Sequence, residues 1–149
     1  IGDYAPTLSI PTDTDIFSLA EQRGKKVVVF FFPRADTASC TKEAEQFSAL
    51  HDEFTVQNTV VIGVSKDKPA KQQKFRAKYG LTLLLGADHE TKFCDEFGVW
   101  VEKSMYGKTF MGIQRASFIV DGDGRIAAIW PKVKVTGHAA DVLEKLKAL

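Results

Sequence analysis

"KVVVFFFPRADTASCTKEAEQF", residues 26–47, holds a strand, a loop and a helix in a row. Val27 to Phe32 is an unbroken apolar run of β-branched and aromatic residues, as expected of a strand buried on both faces. It halts at Pro33. After a small polar loop, Cys40 opens a stretch in which Ala44, Phe47, Leu50 and Phe54 recur at spacings of three and four. That spacing predicts one helix over 39–54 with a single apolar face. "TVVIGV" (59–64) is a second buried strand. A strand–helix–strand unit of this kind closes as a right-handed parallel crossover. In open α/β sheets chemistry gathers beyond the carboxyl ends of the strands, and Cys40 stands at such an end, shortly after Phe32.

The pattern continues outward. Pro69 suits the first turn of a helix that runs through Tyr79 and stops at Gly80. "LTLLLG" (81–86) predicts a third strand, and "TKFCDEFG" a short helix closed by Gly98. Residues 99–114 read as irregular. "ASFIV–DGDG–RIAAIW" (116–130) reads as two strands about a turn, and "GHAADVLEKLKAL" as a terminal helix. On the amino-terminal side, "PTLSI" and the "IFSLAEQ" region read as short strands or turns. The sum is an α/β domain spanning residues 1–149, with a mixed central sheet flanked by helices.

Bulk properties exclude several function classes. Lys and Arg total 20 against 19 Asp and Glu, so no basic excess points to nucleic acid or an anionic membrane surface. The densest cluster, "KDKPAKQQKFRAKYG" (66–80), has the spacing of a solvated helix face. No apolar run is long enough to span a membrane. The chain begins at Ile1 without the build of a signal peptide, although a leader could precede it. Two cysteines 54 residues apart make neither a disulfide framework nor a metal site, and a reducing, cytoplasmic setting is the default.

Cysteine is usually a buried small hydrophobe. Around Cys40, however, Thr37, Ser39, Thr41 and Lys42 are polar, and the apolar stripe runs elsewhere, through Ala44 and Phe47. A helix N-terminus or a neighbouring cation favours the thiolate, the reactive form. Complete ionisation raises the thiolate fraction at pH 7 by only about thirty-fold, whereas enzymes supply a million-fold or more. Donors that stabilise charge in the transition state are therefore required as well.

These residues carry a resemblance. "Pro33-x-x-x-Thr37-x-x-Cys40" is similar to the active-site signature of peroxiredoxins. "EKSMYGKTFMGIQRASFIVDGDGRI" (102–126) resembles the bacterioferritin-comigratory, or Q-type, subfamily. The likeness extends over the whole chain. It implies a thioredoxin-like fold and a thiol-dependent peroxidase acting on hydrogen peroxide and organic hydroperoxides without metal or haem. It makes Cys40 the peroxidatic cysteine, which becomes a sulfenic acid. Thr37 would bond the peroxide, Pro33 would shield the pocket, and Arg115 would stabilise the thiolate and the departing oxygen. Glu43, one turn beyond Cys40, would be held by an arginine. Relatives of this type are often monomers, with a dimer the alternative.

Two departures stand out. The loop reads "TASC" where the subfamily usually has "TPGC", and the position five after Cys40, which often carries a resolving cysteine, is Glu45. Resolution within that helix is excluded. Cys94 then has two open readings: a core filler beside the Phe93–Phe97 pair, or a resolving cysteine at the same sheet edge as Cys40. The favoured scheme has Cys40 acting alone, reduced by thioredoxin, by glutaredoxin with glutathione, or by another thiol. A thioredoxin-like disulfide reductase, lacking any Cys-x-x-Cys pair, and a redox-switched binding protein are the alternatives. "YGKTF" (106–110) lacks the first glycine of a phosphate loop, and "DGDG" (121–124) lacks the acidic residue that closes a calcium loop. His51, His89 and His138 are scattered and read as surface residues, and Trp100 and Trp130 as core or pocket-wall aromatics.

Overall fold

The computed structural model describes residues 2–6 and 9–149; Thr7 and Leu8 of the "PTLSI" reading lie outside the described residues. The chain begins with a small antiparallel pair, β1 (Ser9–Pro11) and β2 (Ile16–Ser18), and a 3₁₀ turn at Ala20–Gln22. The central elements follow: β3 (Lys26–Phe31), α1 (Ala38–Ala49), α2 (His51–Val56), β4 (Thr59–Ser65), α3 (Pro69–Tyr79), β5 (Leu84–Ala87) and α4 (Phe93–Glu96). The rest is β6 (Trp100–Met105), β7 (Lys108–Ile113), β8 (Ala116–Val120), β9 (Ile126–Trp130) and α5 (His138–Lys147). Five strands pair in the order β5-β4-β3-β8-β9. The first three are parallel to one another, while β8 runs antiparallel to β3 and to β9.

Strand alternation sorts β3 onto two cores. Val28, Phe30 and Phe32 face a layer built from Phe47 of α1, Phe54 of α2, Phe75 of α3 and Val142 and Leu146 of α5. Val27, Val29 and Phe31 face the opposite side, with Phe17, Phe93, Phe97, Val99 and Ile113. The Phe30 ring stacks on Phe47 at 4.4 Å and seats α1 on the sheet. Gly63 is the β4 partner of Phe30, and a Cβ there would come within 2.5 Å of the Phe30 ring. The close approach needs glycine.

Several expectations change. The helix predicted over 39–54 breaks at Leu50, whose dihedrals (φ −98°, ψ 14°) leave the α region. Phe47 and Phe54 still meet at 5.8 Å, so the apolar spacing survives the bend and does not report it. The third strand begins at Leu84, not at 81, because Leu81 and Leu83 turn into the helix-side core. The largest correction concerns residues 99–114, which form the β6–β7 hairpin, paired from Trp100↔Ile113 to Met105↔Lys108. Its turn residues Tyr106 (φ 53°) and Gly107 (φ 76°) are both left-handed, as a two-residue hairpin turn demands. Most of β7 is exposed, so no apolar alternation marks it. Among the described residues no helix is long and apolar enough to cross a membrane.

Candidate active site

Cys40 is the third residue of α1, beyond the carboxyl end of β3, where the helix's first N–H groups lack intrahelical partners. The loop that delivers it is tied down at two points. The Ala35 N–H donates to Asp67 Oδ2 (2.7 Å), which also accepts from Ser65 Oγ (2.7 Å). Asp36, in the left-handed region at φ 63°, accepts from Tyr79 Oη (2.5 Å) and Lys78 Nζ (3.0 Å) on α3. The start of α1 is thus held against the second crossover helix. No sequence signal singled out Asp67, because its partner is a main-chain group distant in the chain.

Arg115, immediately before β8, binds three groups of α1 at once. Its Nη1 donates to Glu43 Oε1 (2.6 Å), and its Nη2 to Ser39 Oγ (3.0 Å) and Cys40 Sγ (3.1 Å). A guanidinium donating to sulfur stabilises negative charge on it. Glu43 is fully buried, and burial pushes its carboxyl up to about 7 despite the pull of Arg115. Among the described residues its Oε2 has no hydrogen-bond partner. Burial opposes the charge of Arg115, but Glu43 and Cys40 more than offset it and raise its pKa above the ordinary arginine value. Ser39, in sequence only a polar neighbour of Cys40, completes the clamp.

Thr37 is the extended residue that precedes α1, and its hydroxyl donates to the Arg34 carbonyl (3.1 Å). Pro33 is exposed at the exit of β3. Cys94 lies elsewhere. It is buried in the apolar cluster on the far face of the sheet, whereas Cys40 belongs to the helix-side cluster. Its N–H donates to Asp88 Oδ2 (2.8 Å). Burial first, and then the adjacent Asp88 carboxylate, push the Cys94 thiol far up. The two cysteines share an edge of the sheet but occupy opposite faces. His138 corrects its surface assignment: it is buried, within 2.7 Å of Ser117 Oγ, and packs edge-on to Phe47 and Trp130. Burial, helped by the charge of Arg115 and opposed by Asp141, brings its pKa down to about 4, so the ring is neutral near pH 7.

Comparison with known proteins gives the family. The model of the AhpC/TSA family matches residues 1–129. The putative peroxiredoxin bcp of Coxiella burnetii is 42% identical over 147 residues, 98% of this chain and 97% of that one. The chain belongs to the AhpC/TSA family of peroxiredoxins. Among solved structures, this peroxiredoxin is similar to the bacterioferritin comigratory protein of Xanthomonas campestris, studied for its alkyl peroxide reduction activity. The TM-score is 0.91 at 36% identity, over 95% of this chain and 90% of that one. The peroxiredoxin Q of Xylella fastidiosa superposes with a TM-score of 0.94 at 33% identity, over 99% and 95%. The peroxiredoxin is thus of the bacterioferritin-comigratory type, a thiol-dependent peroxidase on a thioredoxin-like fold.

Proposed function

We propose that this peroxiredoxin reduces hydrogen peroxide and organic hydroperoxides at Cys40 as a single-domain monomer, and that an external thiol returns Cys40 to its reduced state. The observation that carries the reading is the Arg115 guanidinium spanning Cys40 Sγ, Ser39 and Glu43.

In the first step the Cys40 thiolate attacks one peroxide oxygen. The S–O bond forms as the O–O bond breaks, and the leaving oxygen departs with a proton as water or an alcohol. Sulfur is oxidised to the sulfenic acid and the peroxide is reduced. Arg115 stabilises the attacking sulfur and the charge that moves onto the leaving oxygen. Thr37 gives its own proton to the Arg34 carbonyl, which leaves its oxygen free to accept a hydrogen bond from the peroxide. Glu43 holds the guanidinium in place.

Recycling then takes two thiols. The first condenses with the sulfenic acid to a mixed disulfide and water, and the second releases Cys40 as a thiol and forms the reductant's disulfide. Thioredoxin and glutaredoxin with glutathione are the candidate reductants, and two free cysteines fit a reducing, cytoplasmic compartment. Cys40 is only 1% exposed, so a protein thiol needs the first turn of α1 to open. The burial of Cys94 on the opposite face argues against its serving as the resolving thiol.

Intact mass after one equivalent of hydrogen peroxide tests this, on the wild type and on Cys94→Ser. Both should gain one oxygen that dimedone captures. Loss of two hydrogens in the wild type alone would make Cys94 the resolving cysteine, and no change in either would sink the peroxidatic assignment of Cys40.

A further inference from the structure

The first step requires a proton for the leaving oxygen, and Arg115 is poorly suited to give one. Its pKa is raised, and its nitrogens already serve Glu43, Ser39 and the sulfur. The unpartnered Glu43 Oε2 is sealed in the interior. The β6–β7 hairpin supplies another group. Lys103 stands on β6 opposite Phe110, with Gly112 two residues further along β7 on the same face. A Cβ at Gly112 would come within 3.1 Å of Lys103 Cδ and 3.4 Å of Cε. The lysine stem therefore lies across the gap that glycine leaves, leaning toward the end of β7 that leads into Arg115. The residue is half-buried on a hairpin whose other polar side chains, Glu102, Ser104, Lys108 and Thr109, are exposed.

Electrostatics agrees with this placement. Burial, and then the charge of Arg115, lower the Lys103 amine, while Cys40 acts in the opposite sense. Both charges act on its ammonium, which is a better acid than that of an exposed lysine.

Building on the peroxidase reading, we propose that Lys103 delivers the proton to the oxygen that leaves when Cys40 attacks a hydroperoxide. As the O–O bond breaks, the bonding pair goes to the departing alkoxide. That oxygen takes a proton from the Lys103 ammonium and leaves as the alcohol, and the neutral amine regains a proton from water. Arg115 and Lys103 thereby divide the work: a permanent cation for the sulfur, and a cation that can release its proton.

The test compares two oxidants by rapid-quench mass spectrometry of Cys40 oxidation. The alkoxide from tert-butyl hydroperoxide needs a proton, whereas the acetate leaving from peracetic acid does not. Lys103→Gln should slow oxidation by tert-butyl hydroperoxide by about 10²-fold or more, and oxidation by peracetic acid by no more than about twofold. Lys103→Arg keeps the charge but not a releasable proton, so it should stay slow with the alkyl hydroperoxide alone. Equal losses with both oxidants, no loss with either, or rescue by arginine would overturn the proposal. A wild type inert to both oxidants would instead refute the peroxidase reading itself.

Discussion

Removing Arg115 should separate two effects on pH scales that the structure specifies. In the folded protein Glu43 titrates near 7, against 4.5 for an ordinary glutamate. A carboxyl raised by folding binds its proton more tightly in the native state, so its stabilising contribution is complete below about 4.5 and declines as pH rises toward 7. The rise from 4.5 to about 7 corresponds to about 3 kcal/mol lost across that window. In Arg115→Ala the carboxyl loses the opposing charge of Arg115, and its pKa climbs above 7. The decline then continues past neutrality at about 1.4 kcal/mol per pH unit. Relative to the wild type, the variant should carry a nearly constant penalty from pH 5 to 7, then lose roughly a further 2 kcal/mol by pH 8.5. Urea denaturation under reducing conditions at a series of pH values reads this directly. Glu43→Gln in the same background should flatten the extra slope. At pH 7 the variant's oxidation by hydrogen peroxide should fall by about 10²- to 10³-fold, the usual cost of a lost transition-state donor. Parallel stability curves for wild type and Arg115→Ala would refute the account of Glu43.

Two further outcomes follow from the packing. Gly63→Ala drives a methyl into the Phe30 ring that seats α1, and should cost about 1–3 kcal/mol in urea denaturation; an unchanged midpoint would mean that Phe30 has room to move. Asp67→Ala leaves the Ala35 N–H and the Ser65 hydroxyl without their acceptor, which should cost about 1–3 kcal/mol. Hydrogen exchange at Ala35 should accelerate and Cys40 oxidation should slow; unaltered exchange would show that the loop is held by other contacts.

The sequence by itself determined the parallel β3–α1–β4 unit, the short helix at Cys94, the β8–β9 turn and the terminal helix. In each, apolar period or turn chemistry is written locally. Asp121 illustrates this, its Oδ1 accepting the N–H groups of Asp123 and Arg125 within its own turn. The motif also brought Cys40, Thr37 and Arg115 forward as candidates. Only the tertiary structure decided what meets what. Cys40 and Cys94 both follow strand ends, but strand alternation and the paths of α1 and α4 put them on opposite faces of the sheet. His138 carries no mark of burial in its own segment; it is enclosed because Phe47, Ser117 and Trp130 close over it from three other elements. The β6–β7 hairpin was invisible because an exposed strand needs no apolar period. Its pairing leans Lys103 across Gly112 toward Arg115, a juxtaposition set by cross-strand register and not by any pattern along the chain.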